Sequence, residues 1–146
     1  RRSSDLYSSV WDAITKPEWT VKFGYQAPVD YDLRPGGAFR GLASDAMKEH
    51  GAPDVVVDGE VIEADAPHRL VQTWRALFLD EPFTRLTYEI EDDGDGVSRL
   101  TVTHDVTGAP QTAAQTAGET PGAGGGWSQT LSDLKTLLET GKPLFT

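Results

Sequence analysis

The sequence predicts an α+β protein, a curved antiparallel sheet wrapped around a long C-terminal helix. Three observations carry this. Helical patterning lies at both ends of the chain and strand patterning lies between, the turns joining the strands are short, and only the last helix is large enough to cover the sheet. At 146 residues the chain is expected to be one domain spanning residues 1–146, able to bury roughly two-thirds of its unfolded surface.

Residues 3–15 read as the first helix. Ser3 or Ser4 can cap it, Asp5 suits its first turn, and Leu6, Val10, Ala13 and Ile14 share a face. Pro17 stops it, and Trp19, Phe23 and Tyr25 follow in an aromatic connector. Val29, Tyr31 and Leu33 alternate with Asp30, Asp32 and Arg34, which is strand periodicity. Residues 34–37 form a turn, and residues 38–43 return as the partner strand. Residues 44–54 are expected to be a long hairpin tip.

Further strands are expected at 55–64, 70–78, 84–91 and 98–107. Pro67-His68, Asp80-Glu81-Pro82 and the Asp92-to-Gly96 run supply the turns. Residues 108–125 are low in complexity and read as a long loop or lid. The final helix covers residues 126–140. Trp127, Leu131, Leu134 and Leu138 recur at steps of 4, 3 and 4 on one stripe, whereas Ser128, Asp133, Lys135 and Glu139 fall off it. Gly141 supplies the left-handed residue that ends helices, and Pro143 prevents resumption. Fifteen residues at 1.5 Å each make a rod of roughly 22 Å.

Net charge is −10, from 23 acidic against 13 basic residues. Such a field repels phosphate backbones and anionic membranes, so neither nucleic acid nor a membrane surface is expected as a partner. No cysteine is present, which removes disulfides and thiolate metal sites. No apolar run approaches a membrane span and no signal peptide is visible, so a cytoplasmic location is expected.

Splitting each strand into its two faces shows where chemistry could sit. One face of the strand at 70–78 carries Leu70, Gln72, Trp74, Ala76 and Phe78. Leu86, Tyr88 and Ile90 form the apolar face of the next, and Leu100, Val102, His104 and Val106 that of the last. The opposite faces are charged, and Arg85, Glu89, Glu91 and Arg99 are expected to pair there. Gln72, Trp74, Tyr88 and His104 therefore bring polar atoms to the side that should be dry. A buried polar group without a partner costs roughly 1–3 kcal/mol. Four together indicate a satisfied internal network or a small-molecule cavity, mostly apolar with a few placed polar groups. A plainer reading makes Tyr88, Trp74 and Trp127 packing aromatics and His104 a satisfied core residue.

Catalytic signatures are missing. Gly122 to Gly126 lacks the strand before it and the Lys-Ser/Thr ending of a phosphate loop. His50, His68 and His104 have no metal-ligand spacing, and there is no Gly-x-Ser-x-Gly elbow. No cofactor and no metal are expected.

Val10-Trp11-Asp12-Ala13-Ile14-Thr15-Lys16-Pro17-Glu18 resembles the opening helix of the SRPBCC (START-like, birch-pollen-allergen-like) superfamily, in the branch named for the activator of the heat-shock chaperone ATPase. The stretch from Gly59 through Pro67-His68-Arg69-Leu70-Val71-Gln72-Thr73-Trp74-Arg75 is similar to that branch's most recognisable segment. Arg85 to Ile90, Arg99 to Asp105 and the helix from Trp127 to Gly141 continue the resemblance in order. It implies a helix-grip fold with a cavity between sheet and helix, its first strand missing or truncated in this sequence. It also implies a largely hydrophobic ligand, held by Gln72, Trp74, Tyr88, His104, Trp127 and Leu131. The partner expected is a small apolar or aromatic molecule, bound by a monomer or homodimer. Two alternatives stay open: a cyclase- or hydratase-like enzyme acting on a polyketide-type substrate, with His104 and Tyr88 as acid and base, and a chaperone-interacting module. Binding rather than catalysis is the leading expectation.

Overall fold

The computed structural model describes residues 10–92, 98–120 and 125–142. Helix α1 is described over residues 10–15, and Pro17 opens α2 (Pro17–Thr20). The sheet is a six-stranded antiparallel meander in chain order. Its strands are β1 (Val29–Tyr31), β2 (Ala38–Leu42), β3 (Val55–Asp65), β4 (Arg69–Ala76), β5 (Thr84–Asp92) and β6 (Ser98–Asp105). Every connection joins neighbours, as short turns require. Helix α3 (Asp45–Glu49) sits between β2 and β3, α4 (Pro110–Thr116) follows β6, and α5 (Gly126–Thr140) closes the molecule. The architecture is the curved sheet with a C-terminal helix that the patterning predicts.

Bulges at Gly41/Leu42 and Val61/Glu63 shift the register and bend the sheet. Gly59 lies where β3 passes close to β4, and a Cβ there would collide with the Thr73 carbonyl. The core forms on the concave side. Leu134 and Leu137 of α5 join Val61, Leu70, Leu86 and Ile90 of the sheet, with Trp11 and Ile14 of α1 packed into the same cluster. The outer face carries charge pairs of small worth, but not those expected: Glu89 pairs with Arg69 at 2.7 Å rather than with Arg85 or Arg99, and Arg69 also reaches Glu63 at 3.3 Å. Gly141 ends α5 at φ 83°, donating its N–H to the Leu137 carbonyl at 2.8 Å.

Several expectations need correction. Residues 44–54 are not a simple hairpin tip: Ser44 accepts from the Met47 N–H and caps α3. Residues 108–125 are not one loop, because α4 occupies their first half, started by Pro110 and ended at Gly118 with φ 78°. The first strand stops at Tyr31, leaving Leu33 outside it, and β4 stops at Ala76, leaving Phe78 in a turn at 64% exposure. Asp133 is not on a solvated face but 1% exposed, since one carboxylate oxygen accepts the Gly24 N–H at 2.8 Å. The predicted cap at Ser3 or Ser4, Leu6, the turn residues 93–96, the glycines at 122 and 124 and the stop at Pro143 lie outside the described residues.

Candidate functional site

Between sheet and α5 lies a cavity of about 200 Å³, open on one side and lined mainly by apolar atoms. Its floor is the concave sheet: Val29 and Tyr31 of β1, Phe39 and Gly41 of β2, Val57 of β3, Trp74 of β4 and Tyr88 of β5. One wall is the first half of α5, with Trp127, Thr130, Leu131 and Leu134. The connector between α2 and β1 roofs it with Phe23, Gly24, Tyr25 and Ala27, and α4 closes the edge with Gln115 and Thr116. Gly24 is seated against α5 by its bond to Asp133, and its φ of 60° with Thr130 close by disfavours any side chain.

Of the residues expected to form the site, Trp74, Tyr88, Trp127 and Leu131 line the cavity. Gln72 and His104 do not. Strand register explains why they belong together: Val61, Gln72, Leu86 and His104 form one row across β3 to β6. Each of the two polar members of that row supports a lining residue. Gln72, 0% exposed, accepts the Tyr31 hydroxyl at 2.5 Å and donates to the Thr73 carbonyl at 3.3 Å. His104 accepts the Trp127 indole N–H on Nδ1 at 3.1 Å. With Nδ1 accepting, Nε2 carries the proton and donates to Thr84 Oγ1 at 2.7 Å, and Thr84 donates to the Trp74 carbonyl at 2.9 Å. This chain of three bonds has a donor and an acceptor at every step.

Burial lowers the His104 pKa to about 4, despite nearby Asp105, so the imidazole is neutral at neutral pH. The aromatic groups meet edge to face: Trp74 and His104 at 5.3 Å and 78°, Tyr88 and Trp127 at 6.0 Å and 80°. Burial also raises the phenols of Tyr31 and Tyr88. Tyr31 is pushed well above its usual value by burial and then by the nearby Tyr88, against a smaller opposing effect from Gln72. Tyr88 is raised by burial alone.

Residue patterns missed Tyr31 and Phe23 as site residues. Both were visible as apolar positions, but nothing local shows that β1 and the connector fold over the cavity. Among the described residues no cluster of three or more His, Asp or Glu could hold a metal ion, and no Lys, Arg, His, Asp or Glu lines the cavity.

The model of the Activator of Hsp90 ATPase homolog 1-like protein family matches residues 7–139. The chain belongs to this family. It lies within the SRPBCC superfamily, as the resemblance predicted. Solved structures share the fold. CalU16 from Micromonospora echinospora is 20% identical, with 92% of this chain and 69% of that one aligned at a TM-score of 0.63. PFC0360w, an HSP90 activator from Plasmodium falciparum, is 18% identical over 90% of this chain and 87% of that one, at 0.61. DynU16, from the dynemicin biosynthetic locus, is 24% identical at 0.67; the alignment covers 94% of this chain but 44% of DynU16. At these identities the likeness shows the fold alone. No curated protein matches the sequence.

Proposed function

We propose that this chain is a single-domain, cytoplasmic binding module for a small, largely hydrophobic molecule held between the sheet and α5. The observation that carries the reading is the cavity of about 200 Å³, lined by no charged side chain among the described residues and walled by Trp74, Tyr88, Trp127 and Leu131. An engineered apolar cavity of about 150 Å³ takes up benzene, so this space suits a molecule of one or two rings. No described helix is long and apolar enough to cross a membrane.

Two other readings rank lower. A cyclase- or hydratase-like enzyme would use His104 and Tyr88, yet both ring nitrogens of His104 are engaged by Trp127 and Thr84. A chaperone-interacting module draws on the likeness to an HSP90 activator, which is a likeness of fold, and the outer sheet face carries Arg69, Glu63, Arg75 and Asp58 in ion pairs rather than an apolar patch.

A thermal-shift screen against one- and two-ring hydrocarbons, ketones and phenols, with fatty acids, sterols and larger aromatic polyketides beside them, tests the proposal. A ligand at a hundred times its Kd adds about 2.7 kcal/mol, roughly 5–10 °C in Tm for a chain of this size. A flat Tm across the whole panel contradicts it.

A further inference from the structure

Tyr88 has an unspent proton. Its side chain lines the cavity and is only 9% exposed, and its hydroxyl makes no hydrogen bond within the described protein. Tyr31, another phenol of the cavity, has already committed its proton to Gln72. Among the described lining residues the hydroxyls without a hydrogen bond are those of Tyr88, on the sheet floor, and Thr130, on the α5 wall, and only Tyr88 presents its hydroxyl from an aromatic ring in the apolar floor. The Tyr88 hydroxyl is not fully enclosed, so water can reach it in the open cavity; a ligand oxygen that accepts from it replaces that bond, whereas a hydrocarbon would leave the donor desolvated and unpaired. Carboxylates are disfavoured, since among the described residues no cation lines the cavity to offset the desolvation of an anion.

Resting on the proposed binding function, we infer that the ligand is a neutral, ring-sized molecule whose carbonyl oxygen accepts the Tyr88 hydroxyl. Tyr88 is thus a specificity residue for oxygenated over purely hydrocarbon ligands. Both phenols are held protonated by burial, so the donor persists across the physiological pH range.

Three probes separate the possibilities: 1-tetralone, a bicyclic ketone; tetralin, the same frame without oxygen; and 1-naphthoate, a bicyclic carboxylate. Quenching of Trp74 and Trp127 fluorescence reports binding. Tetralone is expected to bind about tenfold more tightly than tetralin, a difference of about 1.4 kcal/mol, and naphthoate not measurably. In Tyr88→Phe the ratio of tetralone to tetralin affinity should fall from about tenfold to about one. Carbonyl-labelled tetralone gives an independent readout on the wild-type protein: its ¹³C resonance should move downfield of its position in alkane. Equal binding of tetralone and tetralin, a ¹³C shift at the alkane position, or a preference that survives in Tyr88→Phe overturns this inference and leaves the cavity's binding role intact. Tight naphthoate binding overturns the neutral-ligand assignment. Failure of all three probes to bind overturns the binding function itself, and the inference with it.

Discussion

His104 acts on the cavity wall from behind it. Its Nδ1 holds the Trp127 indole and its Nε2 proton is spent on Thr84, so protonation would set two donors against each other at Trp127. The pH dependence follows in sign. In the unfolded chain the imidazole takes a proton near 6.5, whereas in the folded protein it does so only near 4. Between these values the unfolded state binds more protons, so stability falls as pH drops from about 6.5 towards 4 and this contribution levels off below. Urea melts of wild type and His104→Gln across this range should show a shallower slope in the variant; equal slopes would contradict the assignment. Alternation placed His104 on the inner face from sequence alone. It could not show that the ring would lie behind Trp127, because that depends on how the helix docks. Asp133 was misjudged for the same reason: helical period puts it off the apolar stripe, but its partner is a backbone N–H 109 positions away.

At the scale of elements, α4 is held from outside itself. Ala109 at its N-cap offers no side-chain cap. The Glu81 carboxylate, on the turn between β4 and β5, instead accepts from the Gln111 and Thr112 N–H groups and the Thr112 hydroxyl, each at 2.8 Å. Desolvation works against this charge, but the bonds to Gln111 and Thr112 prevail and hold the Glu81 carboxyl below its ordinary range. The clasp is therefore present above the ordinary carboxylate pKa and is lost as pH falls through the depressed one. Glu81→Gln should speed amide hydrogen exchange across Pro110–Thr116 while leaving β4 and β5 protected; unchanged exchange in α4 would refute the clasp. This long-range cap explains why α4 was illegible. After Pro110 its residues are Ala, Thr and Gln with no apolar stripe, so neither periodicity nor a side-chain cap marks it. α5 was legible to its last residue because its stripe and its terminal glycine are both local signals.

For the molecule as a whole, α5 has two jobs along one stripe. Leu134 and Leu137 close the core against Leu70, Leu86 and Ile90, while Trp127 and Leu131, nearer the helix start, stand at the cavity. The bulges in β2 and β3 bend the sheet, and Gly41 and Val57 on those two strands line the cavity rather than the core. Sequence periodicity fixes which residues face inward; it contains no term for the distance between two layers, so core and cavity wall look alike until the curvature is known. The central claim is that this separation is a ligand site. The most direct test is a fluorescence titration of 1-tetralone against wild type and Leu131→Trp, whose larger ring occupies much of a space of about 200 Å³. Saturable binding to wild type, weakened at least tenfold in Leu131→Trp with no loss in Tm, is the predicted result. Equal affinity in the two proteins, or no binding to wild type, would contradict it.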